Sequence, residues 1–308
     1  MTRYLLFISY IGTQFRAVQK QIVNAEPNKL DPNSVQGIIE ICSKKFNPEN
    51  EPYVYVSSRT DQGVHALRSS AHIDLVRRNG RIYEPQSLLA GFNKYFTSKD
   101  IDLRIQSIKI VPDSFHARFN AKSRKYLYRL AVRKPDAPSE VEIPFAEWKR
   151  CHFVDVPQFD VSLMESAARL FPGSRDFRTF TNNNRCKEDM NTVKDMYKLD
   201  VVPGRPLLNS EYSPNCSHYD YWDIICHGRS FLYRQVRRIV GTLIAVASGS
   251  ISIEEVKYML NTPSKDSWNN CIGVVPPFGL YLLDVEYDPQ DMEMQNSEIA
   301  TKPPVADI

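Results

Sequence analysis

The eight residues Arg59-Thr60-Asp61-Gln62-Gly63-Val64-His65-Ala66 hold one carboxylate between a basic residue and a turn glycine. A carboxylate displayed on such a loop can act as a nucleophile, and Asp61 is the candidate. Gly63 supplies the backbone freedom that a tight turn needs. In an isolated segment of this kind, however, an aspartate commonly caps a backbone N–H of its own turn. These residues alone leave both interpretations open.

Both flanks of this segment have the patterns of β-strands. Tyr53-Val54-Tyr55-Val56 is rich in aromatic and β-branched residues, and residues 71–75 alternate apolar with polar side chains. We therefore expect the segment to be a loop between two strands. Arg59 precedes Asp61 by two residues. If the backbone that leads into the loop is extended, we expect the two side chains to lie near the same opening.

Five blocks of the chain resemble, in order, the motifs of the TruA-type tRNA pseudouridine synthases. The segment around Asp61 resembles the catalytic loop of that family, written G-R-T-D-A-G-V-H-A. The other blocks read FHARFNAKSRKYLY at 115–128, GSRDF at 173–177 with Phe180, FLYRQVRRIVG at 231–241, and VPPFGL at 275–280. The resemblance extends from about Tyr4 to Tyr287. Five ordered blocks are far more specific than any one of them.

The chain also departs from the family motifs. Where the family has D-G-T-x-F-x-G-W-Q-x-Q, residues 11–21 read IGTQFRAVQKQ, without the Asp, the second Gly and the Trp. Ser58 and Gln62 replace a glycine and an alanine of the catalytic loop, and Gln235 replaces a methionine. The paired Arg237-Arg238 resembles the eukaryotic tRNA pseudouridine synthase-like branch. We expect the chemistry to be retained, whereas the preferred RNA is not determined by these residues.

The resemblance implies an enzyme that isomerises uridine to pseudouridine in tRNA, in the anticodon stem-loop or elsewhere, or in tRNA-like elements of mRNA. Asp61 would attack the sugar or stabilise the charge that develops there. Arg237 would form an ion pair with Asp61, because an unpaired buried carboxylate tends to protonate. Tyr126 would stack on the uracil and act as the general base. Without the resemblance, Tyr126 is an ordinary strand aromatic and Arg237 a partner in a surface ion pair.

RNA contacts are expected from Arg59, His65, Arg118, Arg124 and Phe231. Chemistry on a base in folded RNA requires that base to leave its stack, and Arg59 is the candidate for the inserted side chain. His65 orders the backbone nearby or is a loop histidine without RNA contact. Phe231 completes a stacking wall or belongs to the core. Arg118 and Arg124 lie in a basic cluster interleaved with aromatic residues, which suits RNA binding as well as a solvated face.

The fold implied by the resemblance is α+β, with two subdomains whose antiparallel sheets join and a central RNA-binding cleft. We expect a catalytic domain over 1–133, a linker from Lys134 to Pro144, a second domain over 145–288 and a disordered tail over 289–308. Apolar periodicity and caps predict helices after Ser34, over about 160–171 and 231–247, and at a Ser252–Glu255 capping box. Alternation predicts strands over about 123–132, 193–202, 219–227 and 279–287.

The six cysteines, at positions 42, 151, 186, 216, 226 and 271, contain no C-x-x-C pair and are expected to be reduced thiols. Cys216, His218, Cys226 and His227 include zinc-ligand types, but neighbouring strand residues face opposite ways. We therefore expect no metal. No Walker A, G-x-G-x-x-G or H-E-x-x-H motif occurs, so no cofactor is expected.

The composition, with 42% hydrophobic residues among 308, is that of a folded protein, and the net charge of +3 indicates little about partners. No apolar run reaches the roughly 20 residues of a membrane-spanning helix. No clear cleavable presequence is present, and we expect an intracellular protein of the cytoplasm, the nucleus or the mitochondrion.

The resemblance further implies a homodimer that acts on tRNA or tRNA-like RNA without a guide RNA and without a membrane. Two other functions stay open. One is a non-catalytic RNA-binding protein on the same scaffold, against which the intact Asp61, Tyr126 and Arg237 argue. The other is a glycosylase-like hydrolase that would use the same carboxylate but release the base.

Overall fold

The computed structural model describes residues 1–20, 31–138, 140–181 and 190–294 of the chain. They form two compact units, each a sheet with helices packed on it. The first unit comprises Met1–Lys122 and the described residues from Leu282 onwards, and the second comprises Ser123–Tyr281. The expected α+β class is confirmed. The joining of two sheets and the cleft between halves stay predictions.

The described residues contain ten strands and five α-helices. The strands are β1 (Thr2–Tyr10), β2 (Val54–Val56), β3 (His65–Leu75), β4 (Leu103–Val111), β5 (Ala121–Arg133), β6 (His152–Val154), β7 (Gly173–Asp176), β8 (Val193–Pro203), β9 (Tyr219–Gly228) and β10 (Leu280–Tyr287). The helices are α1 (Val35–Ser43), α2 (Pro85–Ser98), α3 (Val161–Ala168), α4 (Gln235–Ala247) and α5 (Ile253–Asn261). Among them, none is long and apolar enough to cross a membrane.

In the first unit, β1 pairs antiparallel with β4 on one edge and with β3 on the other. β2 and β10 both lie beside the second edge of β3. Leu5 and Phe7 of β1 pack with a cluster that includes Val111 and Phe115. The apolar stripe after Ser34 forms α1 as expected, and the Ser34 hydroxyl accepts a hydrogen bond from the Gly37 N–H at 3.1 Å.

In the second unit, β5, β9, β8 and β7 form an antiparallel sheet in that order, and β6 adds to β5 as a parallel strand. The helix α3 packs against α4, α5 and β8. The helix α4 begins later than the expected residue 231, because Arg234 has a left-handed φ of 61° that a right-handed helix cannot contain. The predicted capping box of Ser252 and Glu255 starts α5.

The division of the chain differs from the predicted domains of 1–133 and 145–288. The boundaries between the units fall inside β5 and inside β10, and most of β10 belongs to the first unit. The described residues of the expected linker, 134–138 and 140–144, lie between β5 and β6 and belong to the second unit. Within the expected tail, Pro289–Met292 forms a short 3-10 helix and Met292 packs on the core, while 295–308 lie outside the described residues.

Candidate active site

Asp61 is the first residue of a tight turn between β2 and β3. Its carbonyl oxygen accepts a hydrogen bond from the Val64 N–H at 3.2 Å, and Gly63 has a φ of 82°. This positive φ at the third position is typical of a type II turn and would strain any residue with a side chain. The expected loop between strands is confirmed, and the half-buried Asp61 side chain lies at its start.

Contacts on both sides of Asp61 hold the turn against the start of the chain. The Thr60 hydroxyl is hydrogen-bonded to the Tyr10 hydroxyl at 2.9 Å, and both residues are buried. The Gly12 N–H donates to Nδ1 of His65 at 3.0 Å. A Cβ atom on Gly12 would lie only 1.9 Å from the carbonyl oxygen of Val64. Gly12 thus permits a close backbone approach that places the Asp61 turn.

The three residues of the first unit that were expected to contact RNA differ in accessibility. Arg59 and Arg118 are exposed. His65 is fully buried and accepts the hydrogen bond from Gly12, so it orders the backbone and offers no surface to RNA. The assignment of His65 as an RNA contact is therefore corrected to a positioning role.

In the second unit, Tyr126 and Phe231 meet. Tyr126 lies on β5 opposite Cys226 of β9, and its side chain is buried. The ring of Phe231, in the turn before α4, packs edge-to-face on the Tyr126 ring with centroids 5.2 Å apart and an interplanar angle of 90°. Phe231 is half-buried, so the pair combines an anchored ring with one that reaches the surface.

Arg237 lies on the first turns of α4 and is buried. Its Nε donates a hydrogen bond to the carbonyl oxygen of Val275 at 2.8 Å. Gly241 lies one turn later on the same face of the helix, and a Cβ atom there would be 2.2 Å from the carbonyl oxygen of Gly273. The backbone at 273–275 therefore packs directly on α4 and orients the guanidinium.

The residues that follow 273–275 in the chain are held against β5. The Tyr128 hydroxyl donates to the carbonyl oxygen of Pro276 at 2.9 Å. A Cβ atom on Gly279 would lie 2.7 Å from the Tyr128 ring, so only glycine fits against it. Burial raises the pKa of Tyr128 well above its ordinary value, which keeps the phenol protonated as a donor. Sequence reasoning identified the VPPFGL block but missed Tyr128 and Gly241 as its supports.

The predicted site residues are divided between the units. Asp61 belongs to the first unit, whereas Tyr126, Phe231 and Arg237 belong to the second. The ion pair between Asp61 and Arg237 stays a prediction. Arg124, at the start of the second unit, is half-buried and donates from Nη1 to the carbonyl oxygen of Arg229 at 2.9 Å.

The cysteines of the described residues are free thiols, and Cys186 lies outside these residues. Cys216 packs in an apolar cluster with Cys151, and Cys226 is fully buried in β9. Burial raises the pKa of the Cys151 and Cys226 thiols, which keeps them protonated and poor as metal ligands. Within the part of the chain that the structure describes, no group of three His, Cys, Asp or Glu side chains could hold a metal ion.

The chain is similar to named proteins over nearly its whole length. A protein named tRNA pseudouridine synthase-like 1 from Xenopus laevis is 31% identical over 97% of this chain and 96% of its own length. The Homo sapiens protein of that name is 33% identical over 92% of this chain and 90% of its own length. The chain belongs to the tRNA pseudouridine synthase family. The profile of that family, described as tRNA pseudouridine synthase, matches residues 167–288.

A bacterial member of the family is similarly close. The tRNA pseudouridine synthase A of Brucella ovis is 31% identical over 93% of this chain and 98% of its own length. The family profile over 167–288 spans Phe231, Arg237 and the VPPFGL block, whose contacts with β5 and α4 are described above. The expected membership of the TruA-type family is confirmed.

Proposed function

We propose that this chain is a stand-alone synthase that isomerises uridine to pseudouridine in tRNA, without a cofactor or a guide RNA. The observation that carries the proposal is the Asp61 turn. A half-buried carboxylate begins a turn that is held on both sides by buried hydrogen bonds, in a chain that is similar to named synthases over more than nine-tenths of its length.

The reaction is an isomerisation and needs no other reactant. The bond between N1 of uracil and C1′ of the ribose breaks, a bond between C5 and C1′ forms, the C5 proton leaves and N1 gains a proton. Asp61 attacks the sugar or stabilises its developing positive charge, and Arg237 forms an ion pair with this carboxylate. Tyr126 stacks on the uracil and takes the C5 proton as general base.

Access to the target requires the uridine to leave its stack. Arg59 is exposed two residues before Asp61, where its guanidinium can fill the vacated space in the RNA. Arg118 and Arg124 contribute phosphate contacts, and Phe231 extends the stacking wall that begins with Tyr126. The target uridine lies in a tRNA, and the anticodon stem-loop is the first site to test. The tRNA-like elements of mRNA are the alternative substrates to test beside it.

The proposal includes a homodimer, and support for it comes from apolar surface on the second unit. Phe145 is 91% exposed and Trp148 is 54% exposed. Between them, Glu147 accepts a hydrogen bond from the Leu207 N–H, which brings the exposed Leu207 and Leu208 beside the same segment. Clustered exposed aromatic and leucine side chains are typical of protein interfaces. Sedimentation of wild type and Phe145→Asp, with and without tRNA, tests this association.

The test of the reaction uses transcribed tRNA carrying labelled uridine, followed by nuclease digestion and product mapping. We expect wild type to form pseudouridine, whereas Asp61→Asn, Tyr126→Phe and Arg237→Lys lose most of the activity. Free uracil would instead indicate a glycosylase-like hydrolase. RNA binding by wild type without either product would contradict both enzymatic functions and leave a binding protein.

A further inference from the structure

A connected set of aromatic rings lies on the first unit, outside the Asp61 turn. We call it the ring cluster, and its members are Tyr53, Tyr55, His72, His116 and Phe119. The Tyr55 ring stacks on the His72 ring, with ring centroids 4.7 Å apart and an interplanar angle of 6°. The ring centroids of Tyr53 and Tyr55 are 4.7 Å apart. Those of His116 and His72 are also 4.7 Å apart, and those of Phe119 and His116 are 4.3 Å apart. Each ring therefore touches the next.

The ring cluster is anchored on its inner side and exposed on its outer side. His72 is only 1% exposed, whereas Tyr53, Tyr55 and Phe119 are 36%, 43% and 76% exposed. A single exposed aromatic side chain needs no explanation, but three in one connected set form a continuous surface. Exposed aromatic side chains are the groups on which a nucleic-acid base stacks.

Hydrogen bonds hold the exposed part of the ring cluster in place. Nδ1 of His72 accepts from the Ala117 N–H at 3.1 Å, and Nδ1 of His116 accepts from the Arg118 N–H at 3.1 Å. The His116 N–H in turn donates to Oδ1 of Asn120 at 2.8 Å. The turn that carries Phe119 is thus fixed at several points. A fixed ring binds a ligand with less loss of conformational entropy than a mobile one.

Charge favours a nucleic acid as the ligand. The exposed Arg118 guanidinium lies 5.9 Å from the centre of the Phe119 ring. Burial and the nearby Arg3 lower the pKa of both His72 and His116, so the two imidazoles are neutral at pH 7. A neutral stacking surface beside a guanidinium matches an unpaired base and its phosphate.

The length of chain between the ring cluster and Asp61 limits how far apart they can be. Tyr55 on β2 precedes Asp61 by six residues, so their Cα atoms are no more than about 22 Å apart. We propose that the ring cluster stacks an unpaired base of the RNA substrate near the target uridine, with Arg118 on its phosphate. This inference rests on the proposed function only in naming the substrate RNA as the ligand.

The experiment measures binding of the full chain to unmodified tRNA at several salt concentrations. Phe119→Ala and Tyr55→Ala remove stacking surface, and each is expected to weaken binding about 5-fold or more with an unchanged salt dependence. Phe119→Trp and Tyr55→Phe keep a ring and should bind as wild type. Arg118→Ala should lower the slope of log affinity against log salt by about 1. Tyr258→Ala, at a 58% exposed tyrosine on α5, is the matched control and should bind as wild type.

The outcomes separate this inference from the proposed function. Wild-type binding by Phe119→Ala, or an equal loss in Tyr258→Ala, would overturn the inference while pseudouridine formation by wild type still stood. If Phe119→Ala binds tRNA weakly but wild type forms no pseudouridine, the role of the ring cluster in RNA binding would be supported and the proposed function would be contradicted. Loss of self-association without loss of RNA binding would assign the rings to a protein contact and overturn the inference. If Tyr55→Ala does not fold, Phe119→Ala against Phe119→Trp decides.

Discussion

The backbone N–H of Gly12 donates to Nδ1 of His65 at 3.0 Å, and this bond ties the segment after β1 to the residue where β3 begins. Because Nδ1 accepts, the neutral ring carries its proton on Nε2. His65 follows Asp61 by four residues, so this hydrogen bond fixes the backbone where the chain leaves the catalytic turn. A motif residue far upstream in the sequence thus positions the candidate nucleophile.

Gly12→Ala tests this positioning. Its Cβ would lie 1.9 Å from the Val64 carbonyl oxygen, so the two backbones must move apart. We expect a loss of about 1–3 kcal/mol in the free energy of unfolding, measured with urea, and at least about 10-fold slower turnover. Gly273→Ala is the control for the unfolding measurement, because no atom other than those of its chain neighbours lies within 4 Å of its added Cβ. Wild-type turnover in Gly12→Ala would refute the positioning role.

Gly241→Ala should disturb Arg237 without touching it. The added Cβ would lie 2.2 Å from the Gly273 carbonyl oxygen and would push the 273–275 backbone away from α4. The hydrogen bond from Arg237 to Val275 would then lengthen. We expect a kcat lowered by about 10-fold or more with a smaller change in KM. Single-turnover kinetics measure this, and an unchanged kcat would contradict the argument.

Glu147→Gln should destabilise the second unit. Both Glu147 oxygens accept hydrogen bonds from Arg129, at 2.7 and 3.1 Å, and both side chains are buried. Breaking a buried pair leaves an uncompensated charge, so we expect a loss of about 3–5 kcal/mol in the free energy of unfolding. Asp155→Asn breaks the pair with Arg133, in which the carboxylate is 68% exposed, and should cost less than about 1 kcal/mol. Equal costs in urea unfolding would refute the prediction.

The stability of the first unit should fall as the pH is lowered from about 6.5 towards 4. Burial, followed by Arg3 and His116, lowers the pKa of His72 to about 4, while Asp74 acts in the opposite direction. Between these pH values the unfolded chain binds the proton and the folded chain does not. The contribution of neutral His72 to stability is therefore complete above about pH 6.5 and is lost progressively between about pH 6.5 and 4. The slope from one such group is at most about 1.4 kcal/mol per pH unit.

His72→Gln tests that assignment, because glutamine can still accept the hydrogen bond from the Ala117 N–H but does not titrate. The dependence of Tm on pH should be shallower in this variant than in wild type. The residual slope belongs in part to His116, whose pKa is also lowered by burial and by Arg3. Parallel curves for wild type and variant would exclude His72 as a source of the slope.

Local patterns predicted many of the elements correctly. The Ser34 cap, the Ser252–Glu255 capping box and the strands near 123–132, 193–202, 219–227 and 279–287 depend on residues close in sequence, and the structure contains them. The start of α4 was predicted too early, since periodicity does not reveal the left-handed Arg234. The elements α2 and β4 lie outside the motif blocks and were not anticipated.

The sequence by itself determined the family and the candidate nucleophile, because the order and spacing of five motif blocks survive without any coordinates. Only the tertiary structure decided what supports them. Gly12 lies against Val64, Gly241 against Gly273, and His65 is buried rather than exposed to RNA. These contacts join residues distant in sequence, and no local propensity encodes which backbone a glycine will touch. The return of β10 to the first unit is a long-range pairing of the same kind.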